Sequence, residues 1–406
     1  MDPRYFIDDP EITKFGWFQV KDFKSFSKYE AWQHAVNNNI PIEELYFNFN
    51  DDQTRQLDWT VEPSEDIESM YKRRAQQLRE NYDYIVLLYS GGIDSHTALR
   101  SFLDNGIHID EIITFCNLTH LDKSAKFNQE VFNFAVPYIE SLNLQNTKFN
   151  LYDVGNLIQD SYGVPEQLEH FLYTTNGVLS TWTIAVRSAL LKLRQHHQLE
   201  IAKSGKKIAY IWGMEKPVIL RDNGYYSFKY YDMTPDFAAK KYLSKTVYQK
   251  ELSNFTDETF FVCQEFPEIS IKQSHLVVNE LLKIDSSDPR LISVDKLANT
   301  GPYIEHSSSA NHENGKWLKK QEVEKLIYPS APHGTFGDDK IRGSTIFTSR
   351  DAWFLRSKHP NRNLFVEKIR IALRDHEGYF KYHVDGTASN SIPIGGIPHY
   401  IKKIDV

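Results

Sequence analysis

Residues 84–95 read YIVLLYSGGIDS, an apolar run that passes directly into serine, glycine and aspartate. The run at 84–89 is continuously apolar and rich in branched side chains, which is typical of a strand buried on both faces of a parallel sheet. A helix is predicted to begin near Asp94 and to continue to about Asn105, where Gly106 is suited to end it. The stretch therefore predicts a buried strand, a tight loop and a helix in direct succession.

The segments around this stretch repeat the alternation of strand and helix. Apolar residues at three- and four-residue spacing predict a helix at 65–80, and further helices are predicted at 124–141 and 181–203. Apolar runs at 111–116 (EIITFC) and 207–212 (KIAYIW) predict two more buried strands. Alternation of this kind is typical of a parallel sheet with right-handed crossovers. The expected fold class is α/β, a doubly wound parallel sheet with N-terminal and C-terminal α+β elaborations.

The sequence divides into three parts. Residues 1–63 form an aromatic-rich N-terminal segment, 64–290 contain the predicted sheet and its helices, and 291–406 form a loop-rich C-terminal region that suits a substrate lid. Within these parts the sequence predicts a helix at 27–37 before a break at Pro41, mostly helical structure at 235–285, long loops at 299–350, and a helix at about 364–375 with β-like aromatic alternation around it.

Composition and charge restrict the class of protein. With 41% hydrophobic and 25% charged residues in 406 positions, the chain is typical of a folded globular protein. Its two cysteines, Cys116 and Cys263, exclude a disulfide framework and any four-cysteine zinc or iron–sulfur site built from this chain alone. A net charge of −7 argues against tight, non-specific binding to nucleic acid, although it leaves room for a local basic groove.

Two further absences bear on location. The N-terminal residues contain no basic segment followed by an apolar run, and no stretch approaches about 18 uninterrupted apolar residues. We therefore expect a cytoplasmic protein without a membrane partner.

The loop at 90–95 carries the strongest functional signal. Backbone N–H groups and the hydroxyls of Ser90 and Ser95 converge there on the positive end of the predicted helix dipole, which suits an anion. Gly91 and Gly92 let the backbone approach an oxyanion closely. Asp94 would repel a phosphate unless a Mg²⁺ ion lay between them. A purely structural turn would need neither the two serines nor the aspartate, so we interpret the loop as a phosphate-binding site.

The spacing differs from the phosphate loop that ends in Gly-Lys-Ser/Thr and from the Gly-x-Gly-x-x-Gly loop of dinucleotide binders. It resembles Ser-Gly-Gly-x-Asp-Ser, the pyrophosphate loop of the N-type ATP pyrophosphatases (the PP-loop superfamily), at all six positions. This superfamily includes asparagine, NAD and GMP synthetases and tRNA lysidine synthetases. The resemblance implies an adenine nucleotide alpha hydrolase-like fold, ATP and Mg²⁺ as cofactors, and cleavage of ATP between its α- and β-phosphates.

The same resemblance implies roles for individual residues. The loop residues that would hold the β- and γ-phosphates are Ser90, Gly91, Gly92, Ile93, Asp94 and Ser95, with Asp94 also contacting Mg²⁺. The adenine would lie at the ends of the first two strands, near Leu88, Tyr89, Phe115 and Asn117. Backbone atoms would make most of the adenine contacts, so the side chains there carry little information.

A looser similarity covers residues 185–217. The family often has an Ala-Arg pair on a helix and then a strand that ends in glycine and a polar residue. Here Ala185 and Arg187 stand one residue further apart, and the strand ends at Gly213-Met214-Glu215-Lys216-Pro217. The resemblance implies that Lys216 neutralises charge on the α-phosphate and that Glu215 binds Mg²⁺ or orients a nucleophile. A structural ion pair is the alternative for Arg187, and a solvated surface position is the alternative for Lys216.

Within the superfamily the chain resembles uncharacterised bacteriophage-encoded members of the asparagine-synthetase-like branch, through RRAQQLRENYDYIVLLYSGGIDS at 73–95 and IWGMEKP at 211–217. Asp2 stands where glutamine-using asparagine synthetases expose a cysteine, so no glutaminase activity is expected. The implied function is an ATP-dependent ligase or transferase that adenylates a carboxylate or carbonyl oxygen, releases pyrophosphate and AMP, and uses an amine or ammonia as nucleophile. A phage-encoded enzyme of this kind would act in the host cytoplasm.

Two other functions stay open. One is modification of a nucleobase in tRNA or phage DNA by the same chemistry, and the other is a non-catalytic nucleotide sensor or host-interaction protein. Thiolation is less favoured, because Cys116 and Cys263 both lie in apolar runs and are predicted to be buried.

Weaker features have simpler interpretations. His306, His312 and His333 lie in a loop-rich region, but their spacing matches no metal-ligand pattern. A substrate-lining role is conceivable for three polar residues on a predicted helix, although we favour a solvent-facing position for Lys272, Gln273 and His275. Loops at 221–232 and 333–343 combine glycine, aromatic and basic residues, so they suit a lid, a substrate clamp or base stacking, with an ordinary surface loop as the alternative.

Overall fold

A computed structural model describes residues 8–125, 128–156, 199–213, 219–230, 254–283, 325–329 and 394–404, together with Phe6, Pro217, Asn363 and the segments 380–382 and 388–391. The helices are α1 Pro10–Thr13, α2 Lys28–Asn37, α3 Asp51–Thr54, α4 Ile67–Asn81, α5 Ile93–Leu103, α6 Val136–Ser141, α7 Leu199–Lys203 and α8 Glu268–Leu282. The strands are β1 Trp17–Val20, β2 Phe23–Ser25, β3 Leu45–Asn48, β4 Tyr84–Leu88, β5 Glu111–Cys116, β6 Lys148–Asp153, β7 Ile208–Trp212, β8 Ile219–Asp222, β9 Tyr225–Phe228, β10 Phe255–Thr259, β11 Phe380–Tyr382, β12 Ala388–Ser391 and β13 His399–Lys403.

A five-stranded sheet, all of its strands parallel, forms the centre of the fold. Its strand order is β10-β7-β4-β5-β6, with Leu88 opposite Ile113 on one side and opposite Trp212 on the other. The chain builds outward from β4 to β5 and β6, and then returns to add β7 and β10 on the opposite side. The order of strands therefore reverses between β4 and β7, and in open α/β sheets such a reversal opens a crevice at the carboxyl ends of the strands.

Helices pack on both faces of this sheet. On one face, Ile85 and Leu87 join a large apolar core to which α4, α5, α6 and α8 contribute. On the other face, Val86 and Tyr210 form a smaller cluster with Ala202 of α7. Every residue of β4 is buried, and each fully buried aliphatic side chain of this kind contributes roughly 1.5–3 kcal/mol. The fold is thus mixed α/β with a flanked parallel sheet, an arrangement compatible with double winding.

Several predicted elements are confirmed. The strands at 84–88, 111–116 and 208–212 form as expected, and so does α5, after which Gly106 adopts a φ of 66°. The helix predicted at 65–80 is α4, whose first turn is capped by Asp66 Oδ1, which accepts a 2.8 Å hydrogen bond from the Ser69 N–H. The predicted helix at 27–37 is α2, with Ser27 as its cap.

Other predictions were wrong or incomplete. Residues 255–259 form a buried strand, β10, where mostly helical structure was predicted over 235–285, and the unpredicted β6 forms the far edge of the sheet. The polar sequence FTDET does not predict a buried strand, because the partners of its charged side chains lie far away along the chain. The helix predicted at 124–141 is confirmed from 129 onward, although residues 131–135 form a π-helical segment between residues 129–130 and α6. Pro137, which has no N–H to donate, lies just after that segment. Of the helix predicted at 181–203, residues 199–203 form α7 and the rest lies outside the described residues, as does the helix predicted at about 364–375.

The segment predicted as a loop at 221–232 is mostly a β-hairpin. Strands β8 and β9 are joined by Asn223 and Gly224, whose φ angles of 50° and 78° are those of a type I′ turn. Strand β13 adds to β9 to complete a three-stranded antiparallel sheet. The rings of Tyr226 and Phe228 are buried, so they contribute to the core and are not exposed for base stacking.

The N-terminal residues form a second antiparallel sheet, β2-β1-β3, which contacts the C-terminal segment. The Phe47 N–H donates to the Gly395 carbonyl oxygen at 3.1 Å, and the Gly396 N–H donates to the Tyr230 carbonyl oxygen at 2.7 Å. Trp59 stacks on His399 with ring centroids 4.2 Å apart. Both ends of the chain therefore pack together beside the helical layer. None of the helices described is long and apolar enough to cross a bilayer.

Candidate functional site

The loop at 90–95 lies directly after the central strand, at the point where the strand order reverses. Gly91 has a φ of 81°, a conformation that favours glycine, and a Cβ there would lie 3.0 Å from the Ala135 Cβ. Gly92 is the N-cap of α5. The local geometry thus uses both glycines, and the loop brings the backbone close to the crevice between β4 and β7.

Hydroxyl groups hold the loop in a compact turn. Ser95 Oγ accepts from the Ser90 N–H at 3.2 Å and donates to the Gly92 carbonyl oxygen at 3.0 Å. Ser90 Oγ accepts from the Gly92 N–H at 3.1 Å and lies 3.2 Å from Ser95 Oγ. Ser95 is buried, whereas Ser90 is exposed. Both serines therefore brace the turn itself, so the expectation that a purely structural turn would not need them was wrong. Ser90 is the accessible one of the two.

The start of α5 offers hydrogen-bond donors to an external group. Gly92 has no side chain to cap the helix, and the first intrahelical bond runs from the His96 N–H to the Gly92 carbonyl oxygen at 2.9 Å. The N–H groups of Ile93, Asp94 and Ser95 precede that bond and carry the positive end of the helix dipole. An anion is the group such a terminus binds best.

Gly213 connects the end of β7 to this loop. A Cβ at position 213 would lie 2.6 Å from the Ser95 Cα and 2.9 Å from the Asp94 carbonyl oxygen. Backbone therefore packs on backbone, and only glycine fits. The predicted site residue Gly213 is brought to the loop, whereas Arg187, Glu215 and Lys216 lie outside the described residues.

The predicted adenine-binding residues have mixed surroundings. Tyr89 is buried on the face of the sheet that α5 covers. Its hydroxyl lies 3.1 Å from His96 Nδ1, and burial raises the pKa of the phenol. Leu88 points to the opposite face and packs in the smaller cluster, with Phe115 partly buried against it. Leu88 and Phe115 thus share a face near the carboxyl edge of the sheet, and the Tyr89 side chain does not.

The loop after β5 is organised by Asn128 and Asp153, which no motif in the sequence singles out. The Asn117 N–H donates to Asn128 Oδ1 at 3.0 Å, and Asn128 Nδ2 donates back to the Asn117 carbonyl oxygen at 2.8 Å. Asp153 Oδ1 accepts from the Leu118 and Gly155 N–H groups at 3.1 and 2.9 Å. No local pattern could have found them, because Asn128 lies 11 residues after Asn117 and Asp153 ends β6, a strand that the sequence did not predict.

The polar residues of α8 do not face solvent, so that prediction was wrong. Gln273 Nε2 donates to the Tyr71 hydroxyl at 2.8 Å. Lys272 Nζ donates to Glu62 Oε1 at 2.7 Å, and His275 Nε2 lies 3.0 Å from the Trp59 carbonyl oxygen. Burial raises the pKa of Tyr71, and the charge of Asp94 adds to this increase. Tyr71 of α4 thus lies close enough to Asp94 of the loop to be affected by its charge.

Both cysteines are buried, as predicted. Burial raises the pKa of the Cys116 and Cys263 thiols to about 12, so neither is a thiolate near neutral pH. In the part of the chain that the structure describes, no three histidine, cysteine or acidic side chains gather as a metal site. His306, His312, His333 and the loop at 333–343 lie outside that part.

Neither a protein-family model nor a curated protein matches the sequence.

Proposed function

We propose that the protein is an ATP- and Mg²⁺-dependent, AMP-forming ligase or transferase of the PP-loop type, with an adenine nucleotide alpha hydrolase-like core. The observation that carries the proposal is the loop Ser-Gly-Gly-Ile-Asp-Ser at 90–95, which follows the central parallel strand at the reversal of strand order and opens a helix whose N-cap, Gly92, makes no side-chain hydrogen bond. This arrangement suits a pyrophosphate, because backbone N–H donors and the positive end of the helix dipole lie together at the carboxyl end of the central strand.

The hydrogen bonds of the loop suggest how it would accept that ligand. The Gly92 N–H is bonded to Ser90 Oγ, and an incoming phosphate oxygen can take the place of that hydroxyl. Ser90 is exposed and can turn its hydroxyl toward the ligand, while Ser95 keeps its contact to the Gly92 carbonyl oxygen. A hydrogen bond to a charged acceptor is about twice as strong as a neutral one, so the exchange favours the phosphate.

Asp94 fits the metal that such a site needs. Its carboxylate lies in the first turn of α5 and is partly exposed, and carboxylate oxygens are the ligands that Mg²⁺ prefers. We propose Asp94 and Glu215 as Mg²⁺ ligands, and Lys216 and Arg187 as cations facing the α-phosphate. Mg²⁺ would offset the repulsion between Asp94 and the phosphates.

The proposed reaction has two steps. A carboxylate or carbonyl oxygen of the acceptor attacks the α-phosphorus, the bond to the bridging oxygen breaks, and pyrophosphate leaves with its electron pair. An amine or ammonia then adds to the activated carbon, AMP leaves, and the amine nitrogen loses a proton. The protein contributes positioning and charge neutralisation, which are the main sources of catalysis in phosphoryl and adenylyl transfer.

The test is product analysis with α-labelled ATP, Mg²⁺, a panel of carboxylic acids, and hydroxylamine as a trapping amine. We expect labelled AMP and a hydroxamate from the wild-type chain. Ser95→Ala and Asp94→Asn should lose at least about a hundredfold in rate. The matched controls are Ser141→Ala and Asp104→Asn, which change an exposed hydroxyl and the carboxylate at the other end of α5. ADP as the only product, or equal rates in all variants, would contradict the proposal.

The other functions are tested by the same assay, repeated with tRNA or DNA in place of the carboxylic acids. Tight ATP binding without turnover on any acceptor would favour a nucleotide sensor. AMP formation that requires tRNA or DNA would favour nucleobase modification, although Tyr226 and Phe228, two of the aromatic residues that suggested base stacking, are buried.

A further inference from the structure

A cavity of about 370 Å³ lies outside the loop, between α8, the segment that precedes α4 and the β9–β13 pair. It is lined by Thr60, Glu62, Tyr225, His275, Asn279, Ile401, Lys402 and Lys403. Its volume is at the lower end of the range of about 300–1,000 Å³ that small-molecule sites occupy. None of its lining residues belongs to the loop at 90–95, so the cavity is a separate feature of the fold.

The inner wall of the cavity is held in place by hydrogen bonds. Glu62 accepts from Lys272 Nζ at 2.7 Å and from Asn279 Nδ2 at 3.1 Å. His275 Nε2 lies 3.0 Å from the Trp59 carbonyl oxygen, so this nitrogen carries the proton and Nδ1 is left with its lone pair when the ring is neutral. Burial lowers the pKa of His275, which keeps the ring neutral near neutral pH. A preformed wall of this kind spares a ligand the cost of ordering it.

The charges on the cavity do not cancel. Glu62 is neutralised by Lys272, which leaves Lys402 and Lys403 on the opposite wall. Neither lysine has a carboxylate within ion-pair distance among the residues that the structure describes. Both side chains are exposed, and the charge of Lys402 reaches His275. Within the described part of the chain, two lysines without an acidic partner therefore lie next to polar groups that are already fixed.

We infer that this cavity binds a small metabolite that carries a carboxylate or phosphate group, with the anionic group held by Lys402 and with Lys403, the next residue of β13, adding positive charge from the other face of the strand. The Asn279 amide and the Tyr225 hydroxyl supply hydrogen bonds for the rest of the ligand, and the buried Ile401 gives an apolar floor. The inference goes beyond the proposed function and does not depend on it, because no element of the adenylation site takes part.

The experiment is an NMR titration of the full chain with inorganic phosphate in one arm and succinate in the other. We expect saturable shifts of the backbone amides of residues 275–279 and 401–403, with a dissociation constant in the millimolar range. The arm with the lower dissociation constant identifies the anionic group. Replacing both lysines, as K402Q/K403Q, should weaken binding at least tenfold, on the order expected for two charges near an anion. The control K206Q/K207Q removes two exposed lysines before β7 and should leave the affinity within about twofold.

A Ser95→Ala variant separates this inference from the proposed function. It should abolish AMP formation and leave the titration at 401–403 unchanged. The inference would be overturned by absence of saturable shifts at these residues in both arms, or by equal affinity in K402Q/K403Q and K206Q/K207Q. Unchanged amide positions elsewhere in the K402Q/K403Q spectrum establish that the variant is folded.

Discussion

Replacing Gly213 with alanine is expected to move the loop without unfolding the sheet. The added Cβ would lie 2.6 Å from the Ser95 Cα, whereas ordinary Cβ contacts begin near 3.4 Å. The end of β7 and the first turn of α5 must therefore separate by about 0.8 Å (3.4 − 2.6). Overpacking of this kind typically costs roughly 1–3 kcal/mol of stability. A displacement on the order of 1 Å at a reacting site can cost about a hundredfold in rate.

Two assays on the same variant separate stability from function. Urea unfolding followed by circular dichroism measures the loss of stability, and AMP formation with ATP binding measures the loss at the loop. The matched control is Gly205→Ala, because Gly205 has a φ of 84° but a Cβ added there would meet nothing within 4 Å. It should lose about 1–2 kcal/mol to backbone strain and keep ATP binding. Wild-type ATP affinity and rate in Gly213→Ala would refute the reasoning.

Three further predictions concern stability. Glu258→Gln should lose roughly 3–5 kcal/mol of stability in urea unfolding, because it leaves the buried Arg74 and the partly buried Lys14 without their carboxylate. Glu200→Gln, in an exposed pair, should change stability by less than about 0.5 kcal/mol, and a similarly small loss in both variants would contradict this. Burial lowers the pKa of His96 and His399 to about 4, and unfolded histidine titrates near 6.5, so the unfolded state binds more protons as pH falls. The contribution of these neutral histidines to the free energy of unfolding should be fully present above about pH 6.5 and should fall toward pH 4, with a loss of roughly 1–2 kcal/mol per histidine at pH 5. His399→Phe should reduce the dependence of stability on pH, and an unchanged dependence would argue against a buried neutral ring at this position. Asp66→Ala removes the cap of α4 and should cost about 1 kcal/mol in the same unfolding assay, whereas no change would show that the cap hydrogen bond is not needed.

The strands of the central sheet could be predicted where their buried side chains are apolar. Strand β4 is apolar at every position because both of its faces are covered, so a single pattern was sufficient. Strand β10 is equally buried but carries Asp257 and Glu258. Burial raises the pKa of Glu258, yet the charges of Lys14 and Arg74 outweigh it and keep the pKa below its ordinary value. Lys14 is 244 residues away in sequence, so no local pattern could reveal the pair.

The candidate site, like the sheet, could be predicted from the sequence only in part. The loop residues are contiguous, and their types and order are sufficient to indicate an anion site. The close approach of Gly213 to Ser95 depends on the pairing of β4 with β7, which only the fold supplies. The cavity beside α8 is formed by residues near positions 60, 225, 275 and 402, and its positive charge could not be predicted because only the fold brings these segments together. The hairpin at 219–228 is different, because its Asn223-Gly224 turn was a signal present in the sequence.

The most direct test of the central claim is a titration of the chain with Mg²⁺ and inorganic pyrophosphate, followed at the backbone amides. It needs no knowledge of the acceptor. If the loop is a pyrophosphate site, the amides of residues 91–95 should shift and saturate, while those at 67–69, where Asp66 already caps α4, should stay in place. Equal shifts at both helix starts, or no shift at 91–95, would contradict the claim.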